Sequence, residues 1–317
     1  MTVRWAPRPQ LRTPVFVAAF EGWNDAGDAA SDAVRWLART LGAREFATLD
    51  PEEYFDFQAA RPQVDLVDGV VRRVSWPSVR FLAAPGGRTG RDFVLCVGIE
   101  PNLRWPTFCD DVLSVASDLG CTTAVTLGAL LADVPHSRPV RVTGSAIDDA
   151  TAERLGIERS RYQGPTGIVG VLHNSFREAG LTSGSFWAPV PHYVATPPNP
   201  KATRALLDRL AAFLDVHIDL TDLDIAAAAW ERSVAEVVAG DTDVTEYVAR
   251  LEDRFDRAID DDELDDDDDD EGTHFPDLDE LDYDDEDEDE IDEQNLPSGD
   301  ALAADFERYL REHGEET

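Results

Sequence analysis

The chain has 317 residues, 43% of them apolar, and a formal net charge of −37 from 65 acidic against 28 basic residues. That leaves room for one α/β domain of about 250 residues and a tail, and it excludes nucleic acid as a partner of the whole molecule, since phosphate binding needs clustered Lys and Arg. No segment approaches the ~20 apolar residues of a membrane span, and the run Val15–Phe20 is too short for a secretory core, so a cytoplasmic chain is expected.

Pro14 to Phe20 (PVFVAAF) is short, continuously apolar and bounded by Pro and a Gly-containing turn, the pattern of a buried strand. It runs into Glu21-Gly22-Trp23-Asn24-Asp25-Ala26-Gly27, where Asn24 or Asp25 can cap a helix whose Ala30, Val34, Leu37, Ala38 and Leu41 share one face. Strand, tight turn and helix open a parallel α/β unit. Arg44 to Leu49 reads as a second strand, and the alternation over 64–84 predicts two or three more. Pro85 to Gly90 is a turn between strands; it lacks the Lys-Ser/Thr end of a phosphate loop. Phe93 to Ile99 (FVLCVGI) is apolar enough to be buried on both faces.

A helix follows, with Thr107 as its expected cap and Val112, Val115, Ala116 and Leu119 inward. Cys121 to Leu127 and Val140 to Thr143 are the next expected strands, Thr166 to Ala179 a helix and Gly184 to Val190 a late strand. Asn199-Pro200 supplies a cap and an N1 proline for the first of three closing helices. The second carries Trp230, Val234, Val237 and Val238, and the third Val244, Tyr247, Val248, Leu251 and Phe255. This alternation predicts an α/β fold with a mostly parallel sheet covered by helices. It also requires the apolar segments near 14–20, 93–99 and 121–127 to lie side by side, so that their exit loops meet on one rim. Cys96, Cys109 and Cys121 have neither disulfide-framework nor zinc spacing and read as buried free thiols.

Charge divides the chain into 1–257, 258–295 and 296–317. Residues 258–317 hold 30 of the acidic residues and only Arg308 and Arg311 as cations, a net −28 that leaves −9 for the body. The stretch 258–295 is expected to be a disordered acidic linker, because like charges repel and apolar surface is missing. Spacer and ligand for a basic protein surface are both open readings of it. In 296–317 the residues Leu302, Phe306, Tyr309 and Leu310 recur at helical spacing. So short a helix is marginal alone in water, which makes it a docking element, on its own body or on a protein client.

The candidate site residues sit where predicted strands end. Glu21, Trp23, Asn24 and Asp25 follow the first strand, and backbone N–H groups there attract anions, although the carboxylates oppose one; cap chemistry and ligand contact both fit. Glu100, Arg104 and Trp105 follow the strand ending at Ile99; a ligand crevice, a structural ion pair and a subunit contact are all compatible with them. Asp133, His136, Ser137 and Arg138 bring an acid, an imidazole, a hydroxyl and a cation within six residues. Catalysis would need His136 within reach of a nucleophile and oriented by a carboxylate. Adjacency does not supply that, and no Gly-x-Ser-x-Gly elbow exists. His136 and His192 have no metal spacing. No catalytic residue, metal or cofactor is assigned.

The stretches 20–27 (FEGWNDAG), 98–105 (GIEPNLRW) and 127–139 (LGALLADVPHSRP), extended by 162–168 (YQGPTGI) and 187–194 (WAPVPHYV), resemble the signature of the proteasome assembly chaperone 2 family, in its actinobacterial branch. The resemblance runs in order over roughly 12–255. It implies a phosphorylase/hydrolase-like fold of purine nucleoside phosphorylase-like architecture and a homo-oligomer, with a trimer as first expectation. It further implies a non-catalytic, chaperone-like role with an unknown client. The competing expectation is a small-molecule binder or enzyme for a nucleoside-like or carboxylate ligand in the crevice beside Asn24, Glu100, Arg104 and His136.

Overall fold

The computed structural model describes residues 2–67, 71–87, 89–146 and 164–265. Ten strands are described: β1 (Val3–Trp5), β2 (Val15–Glu21), β3 (Arg44–Leu49), β4 (Gln63–Val67), β5 (Val71–Ser75), β6 (Val79–Ala84), β7 (Phe93–Ile99), β8 (Thr123–Ala132), β9 (Thr143–Ala146) and β10 (Thr182–Pro191). The helices among the described residues are α1 (Ala29–Thr40), α2 (Pro51–Tyr54), α3 (Trp105–Asp118), α4 (Ile168–Glu178), α5 (Pro200–Leu214), α6 (Thr221–Ala239) and α7 (Thr242–Asp265).

Eight strands form one sheet in the order β1-β3-β6-β7-β2-β8-β10-β9. β7, β2, β8 and β10 pair in parallel at its centre. The wing β6-β3-β1 and the edge strand β9 are antiparallel. Five strands, β3, β7, β2, β8 and β10, therefore point the same way. The segments 15–20, 93–99 and 123–127 are immediate neighbours, with β2 between the other two.

The alternation of β2 divides the core. Val15, Val17 and Ala19 face α1 and α5, among Ala30, Val34, Leu37, Leu206 and Leu210. Phe16, Ala18 and Phe20 face α3 and α4, among Phe108, Val112, Leu172 and Phe176. A strand buried on both faces must be apolar at every position, which explains the unbroken run. The three cysteines are buried free thiols. Burial pushes Cys109 up to about 11 and Cys121 to about 12, with Cys96 raised furthest.

Three local expectations are corrected. Thr107 does not cap α3; the N-cap is Arg104, because Pro106, with no N–H to give, falls in the first turn and the helix begins at Trp105. Residues 140–142 are not strand, since β9 begins at Thr143 opposite Trp187. Continuing the antiparallel register would set Arg141 against Pro189, which has no N–H donor for the ladder. The helix α7 carries on through Asp260 to Asp265, into the stretch expected to be disordered; its earlier turns are anchored by Val248 and Leu251, and helix propagation is easier than nucleation. The remainder of the acidic stretch and the terminal segment with Leu302, Phe306, Tyr309 and Leu310 lie outside the described residues, as do Tyr162 and Gln163.

Two elements stand apart from the sheet. β4 and β5 form their own two-stranded ribbon, with Val64, Leu66, Val74 and the following Trp76 about half exposed or more. The α6–α7 hairpin closes on the turn at His192–Val194 through a small cluster of Val194, Val234, Val238 and Val248. Among the described residues no helix is long and apolar enough to cross a membrane.

Candidate functional site

The exits of β7, β2 and β8 meet on one rim. Glu100 N–H donates to the Glu21 carbonyl at 2.9 Å, and Ala129 N–H to the Asn24 carbonyl at 2.8 Å. Around these ties the sequence-predicted residues separate into two groups.

The first group is built on Asn24. Its side chain is fully buried, and Nδ2 donates to Glu100 Oε1 at 2.7 Å. The Ile168 N–H donates to the same oxygen at 2.9 Å. Glu100 is thereby placed at the N-terminus of α4, where a carboxylate is favoured by the helix dipole. Gly167, the N-cap of α4, has to be glycine, because a Cβ there would collide with the Asn24 amide. Asn24 Oδ1 and Asp25 Oδ2 are buried without a partner among the described residues. Asp25 Oδ1 accepts from the N–H groups of Ala30 at 2.7 Å and Ser31 at 3.1 Å, so it caps α1. Gly22 precedes this cluster with a φ of +122°, a conformation L side chains rarely adopt.

Four members of that predicted crevice do not join it. Glu21 pairs with Arg35 on α1. Arg104, in the left-handed region with φ +58°, pairs with Glu53 on α2 rather than with Glu100. Trp105 packs into the core and donates Nε1–H to the Pro101 carbonyl at 2.6 Å, while Trp23 is 70% exposed. The two tryptophans do not line one pocket.

The second group lies beyond the ends of β8 and β10. Asp133 meets His192 Nδ1 at 2.9 Å and accepts from the Tyr247 hydroxyl at 3.3 Å. His136 is buried; its N–H donates to the Tyr193 hydroxyl at 2.8 Å, and its Nδ1 lies 2.9 Å from the same oxygen. Lys201 Nζ donates to the His136 carbonyl at 2.5 Å and pairs with Glu231 at 2.5 Å. The Ser137 hydroxyl donates to Glu252 rather than to His136, so the hydroxyl and imidazole are not assembled as nucleophile and base. Arg138 grips Asp256 through Nε at 2.8 Å and Nη2 at 2.7 Å, and reaches Glu252 at 3.3 Å.

Sequence reasoning missed Tyr193, Lys201, Glu231, Glu252 and Asp256. A signal existed for two of them: Glu252 and Asp256 are four apart on α7 and share a face, as a clamp for one arginine requires. Gly27 links the two groups, its carbonyl accepting from Asn199 N–H at 3.0 Å. Among the described residues no group of His, Cys, Asp and Glu could hold a metal ion.

Burial pushes Asp25 from about 3.8 up to about 6, against the opposing pull of its bonds to Ser31 and Ala30. A folded-state value above the ordinary one means that folding disfavours the ionised form. The stabilising contribution is whole below about pH 4 and is lost as pH rises through about 6, on the order of 3 kcal/mol at most. Asp25→Asn keeps the Oδ1 acceptor without the ionisation. Urea denaturation from pH 4 to 7 should show wild-type stability falling relative to the variant; a constant difference between them would contradict this.

Comparisons with known proteins agree with the geometry. The model of the PAC2 family matches residues 19–238. A PAC2 family protein from Streptomyces avermitilis is 50% identical, over 74% of this chain and 99% of its own, with a TM-score of 0.68. A Mycobacterium tuberculosis proteasome-assembly chaperone homologue is 51% identical over the same shares, with a TM-score of 0.69. A Pyrococcus furiosus archaeal proteasome activator, at 20% identity over 74% of this chain and 98% of its own with a TM-score of 0.60, shares the fold. A comparison with curated proteins finds no match. With most of the sheet, its covering helices and the Asn24 group inside the matched span, the chain belongs to the PAC2 family.

Proposed function

We propose that this chain is a non-catalytic, chaperone-like interaction protein whose client docks on the rim of the parallel strands. The observation that carries this reading is the set of large apolar side chains left in solvent at the rim: Trp23 is 70% and Leu103 46% exposed on the loops, and Leu131 52% near the end of β8. A polar, ligand-sized crevice would have buried them, whereas protein interfaces favour exposed aromatics. Support comes from the name of the mycobacterial relative, a proteasome-assembly chaperone homologue at 51% identity. The same likeness, with that to the Streptomyces protein, favours the actinobacterial branch. Helices on both faces of a parallel centre suit the phosphorylase/hydrolase-like, purine nucleoside phosphorylase-like assignment.

The reading extends to a cytoplasmic homo-oligomer, a trimer first, joined through the β4–β5 ribbon. A two-stranded hairpin is marginal alone in water, and this one presents Val64, Leu66 and Val74 to solvent. The terminal segment 296–317 is then a tethered client-docking element, and residues 258–295 its acidic spacer.

A second reading, a small-molecule binder, is favoured by one observation: Asn24 Oδ1 and Asp25 Oδ2 are buried without a partner among the described residues, which ordinarily calls for a bound group.

Affinity capture with the full chain, followed by identification of what is retained, tests the main reading. Trp23→Ser with Leu103→Ser should reduce client retention roughly tenfold; no client, with or without residues 296–317, would refute it. In light-scattering mass measurement Leu66→Asp should shift the full chain toward monomer; an unchanged mass would exclude the ribbon as the joint.

A further inference from the structure

A cavity of about 170 Å³ lies between the segment leaving β8 and the helix α7, walled by Leu130, Val140, Trp230, Leu251 and Phe255. We infer that it is a binding site for a small apolar carboxylate, a single-ring aromatic acid or a medium-chain acid. The inference rests on the small-molecule reading above and gives it a place and a chemical class, away from the Asn24–Glu100 crevice.

Size sets the first limit. A cavity of ~150 Å³ holds a benzene molecule, so this one of about 170 Å³ seats about seven non-hydrogen atoms, a single ring or the chain of such an acid, with the carboxylate at its cationic wall. Charge sets the second. Arg138, Arg141, Lys201 and Arg254 line the wall against the single carboxylate of Asp133, in a chain whose net charge is −37. Arg138 and Lys201 are already matched, by Glu252 and Asp256 and by Glu231. Arg254 has no hydrogen bond or ion pair among the described residues.

His136 sets the third. It lines the cavity and is 4% exposed. The Tyr193 oxygen accepts the backbone N–H, and its own proton has no other acceptor among the described residues than His136 Nδ1. That leaves the ring proton on Nε2, which has no partner among the described residues. Burial and the nearby Lys201 cation favour the neutral ring, against the opposing carboxylates of Glu231 and Glu252. A carboxylate can accept from an imidazole N–H and a guanidinium together. An amine would meet a predominantly cationic wall, and an alcohol would leave the arginine unmatched. The roof helix α7 lies beyond the span 19–238 matched by the family model.

Thermal denaturation and calorimetry of the full chain with benzoate, phenylacetate, hexanoate and octanoate, against benzyl alcohol, benzylamine and a set of nucleosides, test the inference. The acids should raise the melting temperature and the other compounds should not. Arg254→Gln should weaken acid binding roughly fivefold without changing the melting temperature of the free protein. Ala258→Phe, from α7, and Val140→Phe, from the opposite wall, should each fill the cavity and abolish binding. Acid binding that survives both fillings, or binding of amines or nucleosides instead of acids, overturns this site while leaving the small-molecule reading intact. No response to any compound overturns both.

Discussion

The structure depends on one constraint: β2 is buried on both faces between two parallel neighbours. Parallel pairing of β7, β2 and β8 brings their carboxyl ends to one edge, and the loops leaving that edge carry Asn24, Glu100 and the segment through His136. The covering helices follow from the same strand, since its odd positions need α1 and α5 and its even positions need α3 and α4. Burying Phe16 or Phe20 is worth roughly 1.5–3 kcal/mol each. The exposed ion pairs on the rim are worth far less apiece, because solvent screens them. The core therefore fixes the rim, and the polar contacts on the rim choose among conformations that the core already permits.

The two rim groups obey different physics. Around Asn24 the groups are buried, so every polar atom matters: Glu100 holds Asn24 and the start of α4 with one oxygen, and Asp25 spends one oxygen on α1. Around Arg138 the partners are 30% to 50% exposed. Such contacts are salt-sensitive and individually weak. The α7 helix is thus held to the β8 exit by a polar perimeter around an incompletely filled apolar interior. That arrangement leaves the helical hairpin less secured by burial than the central sheet.

Much of this was legible in the residues. The run PVFVAAF can be nothing but a strand apolar on both sides, and the helical faces of α1, α4 and α5 follow from spacing. The order of the family-like stretches located the rim. What spacing cannot give is the direction of a side chain at a left-handed residue: Arg104 follows the same strand as Glu100 yet turns to Glu53. Nor could it pair residues more than a hundred positions apart, such as Ser137 with Glu252 or Arg138 with Asp256. The strand expected from Val140 to Thr143 begins only at Thr143, because its extension would face Pro189, information held on another element. The apolar 64–75 ribbon read correctly as strands, but its separation from the main sheet is a tertiary fact.

Native-state hydrogen exchange followed residue by residue tests the central claim most directly. Amides of residues 15–20, 93–98 and 123–127 should exchange last and together, through global unfolding alone, with α6, α7 and the β4–β5 ribbon opening well before them. Early or independent exchange of the 15–20 amides, or protection greatest in α7, would contradict a molecule organised around β2.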